Sequence, residues 1–279
     1  MKSPKLLCLY IFTALLTCSS LRAQDLFDSL RTNQYANFLY QSGSFAEAID
    51  ELERYIFVFG GDDVTKYRLI ASYRKAGLPD LALSRMRQLW NAPHSVSPAI
   101  AREYFGLRIL NNDKEQLFSS IEQNPLLQSD DRVFLLSTVM LLNGDFQPAR
   151  ELLDDGMVRS NFTLKSYQTL ANEGLLIRHR NPWVSGTLSA LLPGAGKVYC
   201  GQWQDGLIAF LMVGAAALQS YRGFSRNGVE SVYGWVFGAL GAGFYIGNIT
   251  GSVKSAYRYN TIRNERLRSR VQTIFNDNL

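Results

Sequence analysis

Apolar and polar positions follow different rhythms in successive parts of the chain. Between residues 30 and 177 the apolar positions recur three and four apart with almost no β-branched runs, which predicts a succession of helices. Residues 181–253 instead hold three uncharged stretches: 181–196 between Arg180 and Lys197, 206–221 between Asp205 and Arg222, and 231–253 between Glu230 and Lys254. About 20 apolar residues cross a hydrocarbon core, so 231–253 is long enough to span. The run 207–218 is shorter but almost wholly apolar, and its ends can be extended by side chains that reach back to water. Pro193, Gly194 and Gly196 interrupt the first stretch, which is expected to be a broken or re-entrant helix. Membrane segments are thus expected near 183–200, 204–222 and 231–253. From 254 to 279 the pattern becomes amphipathic, with Val253, Tyr257, Leu267, Val271 and Ile274 giving a partial apolar face among six basic residues.

At the other end, Lys2 and Lys5 precede an apolar run over 6–17, and small and polar residues follow as far as Ala23. This is the pattern of a secretory signal, 1–23, with cleavage after Ala23. The alternatives are an uncleaved anchor and a lipoprotein signal using Cys18. Cleavage removes Cys8 and Cys18 and leaves Cys200 alone, which excludes an internal disulfide and predicts a buried or intermolecular thiol.

Within the helical region a spacing repeats. Gly43-Ser-Phe45-Ala-Glu-Ala48 is followed 34 residues later by Gly77-Leu-Pro79-Asp-Leu-Ala82, and after another 67 by Gly144-Asp-Phe146-Gln-Pro-Ala149. The missing copy falls at Asn111-Asn112-Asp113, where Asn supplies the turn; Gly and Asn tolerate the left-handed backbone that ends a helix. The alanines are expected where two helices approach closely. A 34-residue period is the mark of a helix-turn-helix solenoid. The segment Leu39-x-x-x-Gly43-x-Phe45-x-x-Ala48, with echoes at Tyr73-x-x-x-Gly77 and Met140-x-x-x-Gly144, resembles the tetratricopeptide repeat family. The early Trp and the Leu-Gly pair of its first helix are missing, Pro79 replaces an aromatic, and the third copy has Gln116 or Leu117 at the alanine position. The resemblance covers about 140 residues and implies a concave surface that binds a protein or peptide, without chemistry. A generic antiparallel bundle is the alternative. Tyr35, Tyr40, Tyr55, Phe57, Tyr67, Tyr73 and Trp90 are either core or groove anchors, and helical spacing favours core.

A second string is distinctive: Pro193-Gly194-Ala-Gly196-Lys-Val-Tyr199-Cys-Gly201, with Gly206 five residues on. It resembles small bacterial membrane modules carrying a Pro-Gly-x-Gly-x-x-Tyr-x-Gly signature before paired apolar helices. That resemblance implies a compact membrane hairpin in a bacterial cell envelope, not an activity. A phosphate-binding loop is excluded, because Leu191 stands five before Gly196 and Val198 follows the lysine. In the third stretch Gly234, Gly238, Gly243, Gly247 and Gly251 fall four apart in two runs, a face that lets a second backbone come close. Packing against 206–221 is the favoured reading, and a homo-oligomer is the alternative. Asn248 is expected to bond across a helix pair.

Charge sharpens this division. The formal net charge of +5 is composed of +3 over 1–23, −5 over 24–177 and +7 over 178–279. The chain therefore reads as all-α: a signal, a repeat domain over 24–177, a membrane module over 178–253 and a basic tail over 254–279 that meets an anionic lipid surface. The repeats are expected outside the cytoplasm on an inner membrane. Two or three crossings are open: the basic tail favours three by the positive-inside rule, whereas Arg222, Arg226 and the weak first stretch count for two. His94 and His179 have no acidic or thiol partner at motif spacing, so no catalytic residue, metal or cofactor is expected. The expected partners are a protein or peptide on the repeats and lipid along 181–253; nucleic acid is set aside.

Overall fold

Asp28 accepts a hydrogen bond from the backbone N–H of Leu30 and opens the first helix of a chain whose regular elements are all helical among the described residues. The computed structural model describes residues 28–279 except 114 and 155–160, so the expected signal, 1–23, lies outside the described residues. The chain divides into two compact units after Gln128.

The first unit holds α1 (Ser29–Gln41), α2 (Phe45–Phe59), α3 (Asp63–Lys75), α4 (Pro79–Leu89), α5 (Pro98–Leu110) and the short α6 (Leu117–Glu122). Two of its later helices start at side-chain caps, where Asp62 accepts from the Thr65 amide at 2.9 Å and Ser97 from the Ile100 amide at 3.3 Å, and Pro79 and Pro98 occupy first-turn positions where no amide is needed. Helix ends recur in one form. Gly43 and Gly77 have φ of 81° and 79°, and the amide of the residue after the glycine bonds back over a full turn, Ser44 to Leu39 and Leu78 to Tyr73. Asn112 takes the same conformation with φ 53°, and Asp113 bonds back to Arg108. This is the turn that the repeat spacing placed there.

Each helix packs onto its neighbour in sequence, α1 on α2, α2 on α3, α3 on α4 and α4 on α5. Ala36, Ala48 and Ala82 are 0% exposed at the approaches. Leu39, Leu52 and Leu69 close one apolar cluster, and Ile70, Met86, Ile100 and Leu107 another. Most of the aromatic residues serve this packing: Trp90 is buried, with its indole N–H donating to Asp63 at 2.9 Å, and Tyr40, Tyr55, Tyr67 and Tyr73 are half-buried. Tyr35 and Phe57 are exposed. An ion pair is buried here: Arg74 on α3 meets Glu103 on α5 at 2.6 Å. Burial raises the Glu103 carboxyl above its ordinary value, against the opposing pull of Arg74.

The second unit holds α7 (Ser129–Asn143), α8 (Phe146–Leu153), α9 (Phe162–Leu175), α10 (Pro182–Leu191), α11 (Ala195–Tyr199), α12 (Trp203–Asn227) and α13 (Val232–Asn278). Gly144, φ 87°, turns α7 into α8, with Asp145 bonding back to Met140; Ala149 is fully buried and Phe146 packs on Gly174 of α9. The repeat-like region is thus shared, with the turns at 43, 77 and 112 in the first unit and the turn at 144 in the second. The tail expected from 254 is not a separate element. It continues α13, whose 47 residues run about 70 Å at 1.5 Å per residue. Part of its apolar face is covered by protein, while Tyr257 stays exposed. Leu267, Val271 and Phe275 are buried where α13 packs on α7 and α9, and the Phe134 ring stacks between Phe275 and Tyr167 at centroid distances of 5.5 and 5.4 Å.

The Asp62 cap gives a stability test. Asp62→Ala is expected to lower stability by about 1 kcal/mol, and Asp62→Asn by much less. Hydrogen bonds from Thr65 hold the Asp62 carboxyl below its ordinary value. Its contribution is therefore complete above the unfolded value near pH 4 and is lost as pH falls through the folded value. Unfolding of the purified chain at several pH values should show this component in the wild type and not in Asp62→Asn.

Candidate functional site

The signature around Pro193 folds into a knot of buried polar groups. Pro193 follows the end of α10 at Leu191, and Gly194, with φ 87°, reverses the chain into α11. A helix that stops this way frees carbonyls in its last turn and an amide beyond it. Side chains from α13 meet them. Tyr245 donates its hydroxyl to the Ala190 carbonyl at 2.6 Å, and the Asn248 amide nitrogen donates to the Ser189 carbonyl at 3.2 Å. The Asn248 carbonyl oxygen accepts from the Gly194 amide at 3.0 Å. Asn248 therefore closes both sides of the break.

Serines complete the knot. Ser189 lies 2.6 Å from Ser252 and accepts from the Gly196 amide at 2.9 Å. Ser185 donates to the carbonyls of Gly196 at 3.0 Å and Ser252 at 2.8 Å. Ser185, Ser189, Asn248 and Ser252 are all buried, and the Cys200 thiol is buried 3.4 Å from the Ser185 hydroxyl. Cys200 is thus the buried thiol that the cysteine count allowed.

Three signature glycines are where backbones touch. A Cβ on Gly194 would run into the Gly206 carbonyl oxygen, and one on Gly206 would meet the Gly194 oxygen at 2.7 Å. A Cβ on Gly196 would run into the Ser185 carbonyl oxygen. This approach sets α12 against the break. Gly201, φ 81°, ends α11 with open space around it, and Tyr199 packs its ring 4.7 Å from the Arg180 guanidinium. The hydrogen bonds of the knot hold the break closed.

The glycine face of α13 divides in two. A Cβ on Gly234 would meet Phe224 and one on Gly238 would meet Ser220, both on α12, while Gly251 faces Lys197. Gly243 and Gly247 have nothing within contact distance. The histidines are accounted for separately: His94 packs 6.0 Å from the Tyr104 ring, and His179 bonds Asn264 at 3.1 Å. Among the described residues no three His, Cys, Asp or Glu side chains stand together as metal ligands.

The sequence pattern points to the glycines and Asn248 but assigns no role to Ser185, Ser189, Tyr245 or Ser252. A signal was present: Ser185 and Ser189 are four apart on one helix, as are Asn248 and Ser252 on another, so each pair forms a polar spot on an otherwise apolar face.

Two helical stretches, Trp203–Glu230 and Val232–Asn278, are long and apolar enough to cross a membrane among the described residues. No protein-family model, curated protein or solved structure matches this chain.

Asn248→Leu should cost about 2–5 kcal/mol, because it leaves a buried amide and a buried carbonyl unpaired. Gly194→Ala and Gly206→Ala should be at least as damaging, whereas Gly214→Ala and Gly243→Ala, in open space, should not lower stability. Thermal unfolding of the purified chain in one detergent, with proteolysis of the α10–α11 segment as a second readout, ranks the five variants.

Proposed function

We propose that this chain is a membrane-anchored adaptor of a bacterial cell envelope, non-enzymatic, whose tetratricopeptide-like helices hold a protein or peptide. The membrane part rests on one observation. α12 and the first half of α13 turn their large apolar side chains outward, Leu207, Phe210, Leu211 and Leu218 on one and Trp235, Val236, Leu240 and Ile246 on the other. They face each other through small residues such as Gly223, Ser220, Ala216, Gly234 and Gly241. That arrangement suits lipid outside and close backbones inside. The adaptor part is supported by the first unit, where recurrent left-handed turns stack helices in sequence order and Tyr35, Phe38 and Phe57 stand exposed.

The contacts of α13 bear on the number of crossings. Its far end packs on α7 and α9, and Arg270 pairs with Glu173. Residues 175 and 267 then belong on one side, which supports an even number of crossings and argues against the three that the charge count favoured. α10, with 10 residues, reaches only about 15 Å before it breaks, half of a hydrocarbon core. On this reading α10 and α11 re-enter, α12 and α13 cross, and an exported repeat region takes the basic tail out with it. Arg222 and Arg226 remain inside. Reporter fusions after Gly223 and after Leu279 are expected to report a cytoplasmic and an extracytoplasmic position; a cytoplasmic signal after Leu279 sinks the topology.

A photo-crosslinking residue at Tyr35 tests the adaptor. In native membranes it should give one discrete adduct to another protein, reduced by Phe38→Asp one turn away with membrane retention unchanged. Absence of any protein adduct there and at Phe57 removes the adaptor reading. A second reading, a structural homo-oligomer, is favoured by the open faces of Gly243 and Gly247; adducts to a second copy alone would support it instead.

A further inference from the structure

Five arginines converge on one groove of the second unit. Arg178 and Arg180 lie just before α10, while Arg263, Arg266 and Arg270 follow one another along α13 at spacings of three and four, which puts them on one face. They line an open cavity of about 710 Å³. Glu173 is the one acidic residue in its wall, and it is paired with Arg270. The groove therefore carries a large excess of positive charge in a small volume.

Part of this arrangement is held in place before any ligand arrives. Asn260 accepts from the Arg180 amide at 2.7 Å and donates to the Arg180 carbonyl at 2.9 Å. The Arg180 guanidinium sits 4.7 Å from the Tyr199 ring centre and 5.5 Å from that of Tyr259; Arg263 sits 5.4 Å from the same Tyr259 ring. Aromatic contacts orient a guanidinium without using its N–H groups, and the Arg180 Nε is buried without a hydrogen-bond partner. Like charges gathered this closely repel one another, and an anion among them relieves that repulsion. A carboxylate takes one guanidinium fork, whereas a phosphate group offers enough oxygens to take several.

Height along α13 suggests where such a phosphate comes from. Asn260, level with Arg180, lies seven residues past the end of the uncharged stretch at Val253, about 10 Å at 1.5 Å per residue. The polar layer of a bilayer adds about 5–8 Å beyond the hydrocarbon on each side, and an arginine side chain can bridge the remainder. We infer that the groove is a phosphate-binding site that takes the headgroup of an anionic phospholipid beside α13. The phosphate chemistry stands on the groove itself; the lipid source rests on the membrane reading above.

The experiment compares two double variants of the full chain that remove equal charge from the same helix. Arg263→Gln with Arg266→Gln removes two of the five groove arginines. Arg258→Gln with Arg268→Gln leaves it intact, since neither residue lines it. All four side chains are exposed, so both variants should fold, which circular dichroism checks. In nanodiscs of phosphatidylcholine with a minor share of phosphatidylglycerol or cardiolipin, native mass spectrometry counts retained anionic lipid. The groove variant should lose at least about tenfold in retention, as expected for two lost charge-assisted contacts, and the control less than about twofold. Equal losses overturn the site and leave only diffuse attraction. A second arm adds pyrophosphate to the chain in neutral detergent and reads thermal stabilisation. Stabilisation by pyrophosphate with no selective lipid retention overturns the lipid source in favour of a free phosphate ester, and no response in either arm overturns the site. Resistance of the full chain to alkaline extraction from membranes reports separately on the membrane reading.

Discussion

The second unit depends on the way α13 closes the break after α10. A chain reversal at Pro193 and Gly194 leaves backbone donors and acceptors with no helical partners, and inside a protein or a bilayer each such group costs free energy until it is paired. Asn248 pairs one group on either side of the break, and Tyr245 pairs a third. An amide side chain suits this role because it carries a donor and an acceptor together. Once the break is held, Gly194 and Gly206 can bring their backbones into contact, and that fixes where α12 starts. A larger residue at either glycine would push α12 away from the break that it packs on.

α13 then joins two kinds of packing in one continuous helix. Its first half meets α12 through glycine, alanine and serine and turns bulk outward. Its second half is an ordinary amphipathic helix whose Leu267, Val271 and Phe275 enter an apolar core with Phe134 and Tyr167. Burial of side chains of this size is worth about 1.5–3 kcal/mol each, so the far end is anchored to α7 and α9 by more than charge. The buried Tyr167 hydroxyl accepts from Thr138 at 3.0 Å, which satisfies the polar group that this stack encloses.

Local features were legible in the sequence and partnerships were not. The turns at Gly43, Gly77 and Gly144 could be read because a left-handed helix end leaves a residue-type signature, and Asn112 could be placed by spacing because Asn tolerates the same backbone. The interruption of the first apolar stretch was legible for the same reason, since Pro and Gly carry their own conformational limits. The cover over the end of the tail was not legible, because periodicity shows that a helix has an apolar face and says nothing of what covers it. Lipid and α7 would leave the same pattern on Leu267 and Val271. The division after Gln128 was hidden likewise: the copy around Gly144 follows the rhythm of its predecessors, but its first helix, α7, packs on α13. Asn248 was expected to bond across a helix pair. Its targets, a carbonyl and an amide of a broken helix, carry no side-chain identity to detect.

The basic end of the chain gains a different meaning from these contacts. A positive-inside count applies to residues flanking membrane segments, whereas long domains cross largely regardless of charge. On the membrane reading, the far end of α13 goes where α7 and α9 go, because it is part of their core. The arginines of 178–180 and 263–270 are then poor witnesses to sidedness, and their gathering needs another physical cause. Scattered surface charge is usually separated and solvated, yet here two segments more than eighty residues apart bring guanidinium groups to one Tyr259 ring. Holding like charges together costs energy in the free protein, and a bound anion is the simplest compensation. The same helix that closes the break with Asn248 thus gathers, further along, the charge that a phosphate would neutralise.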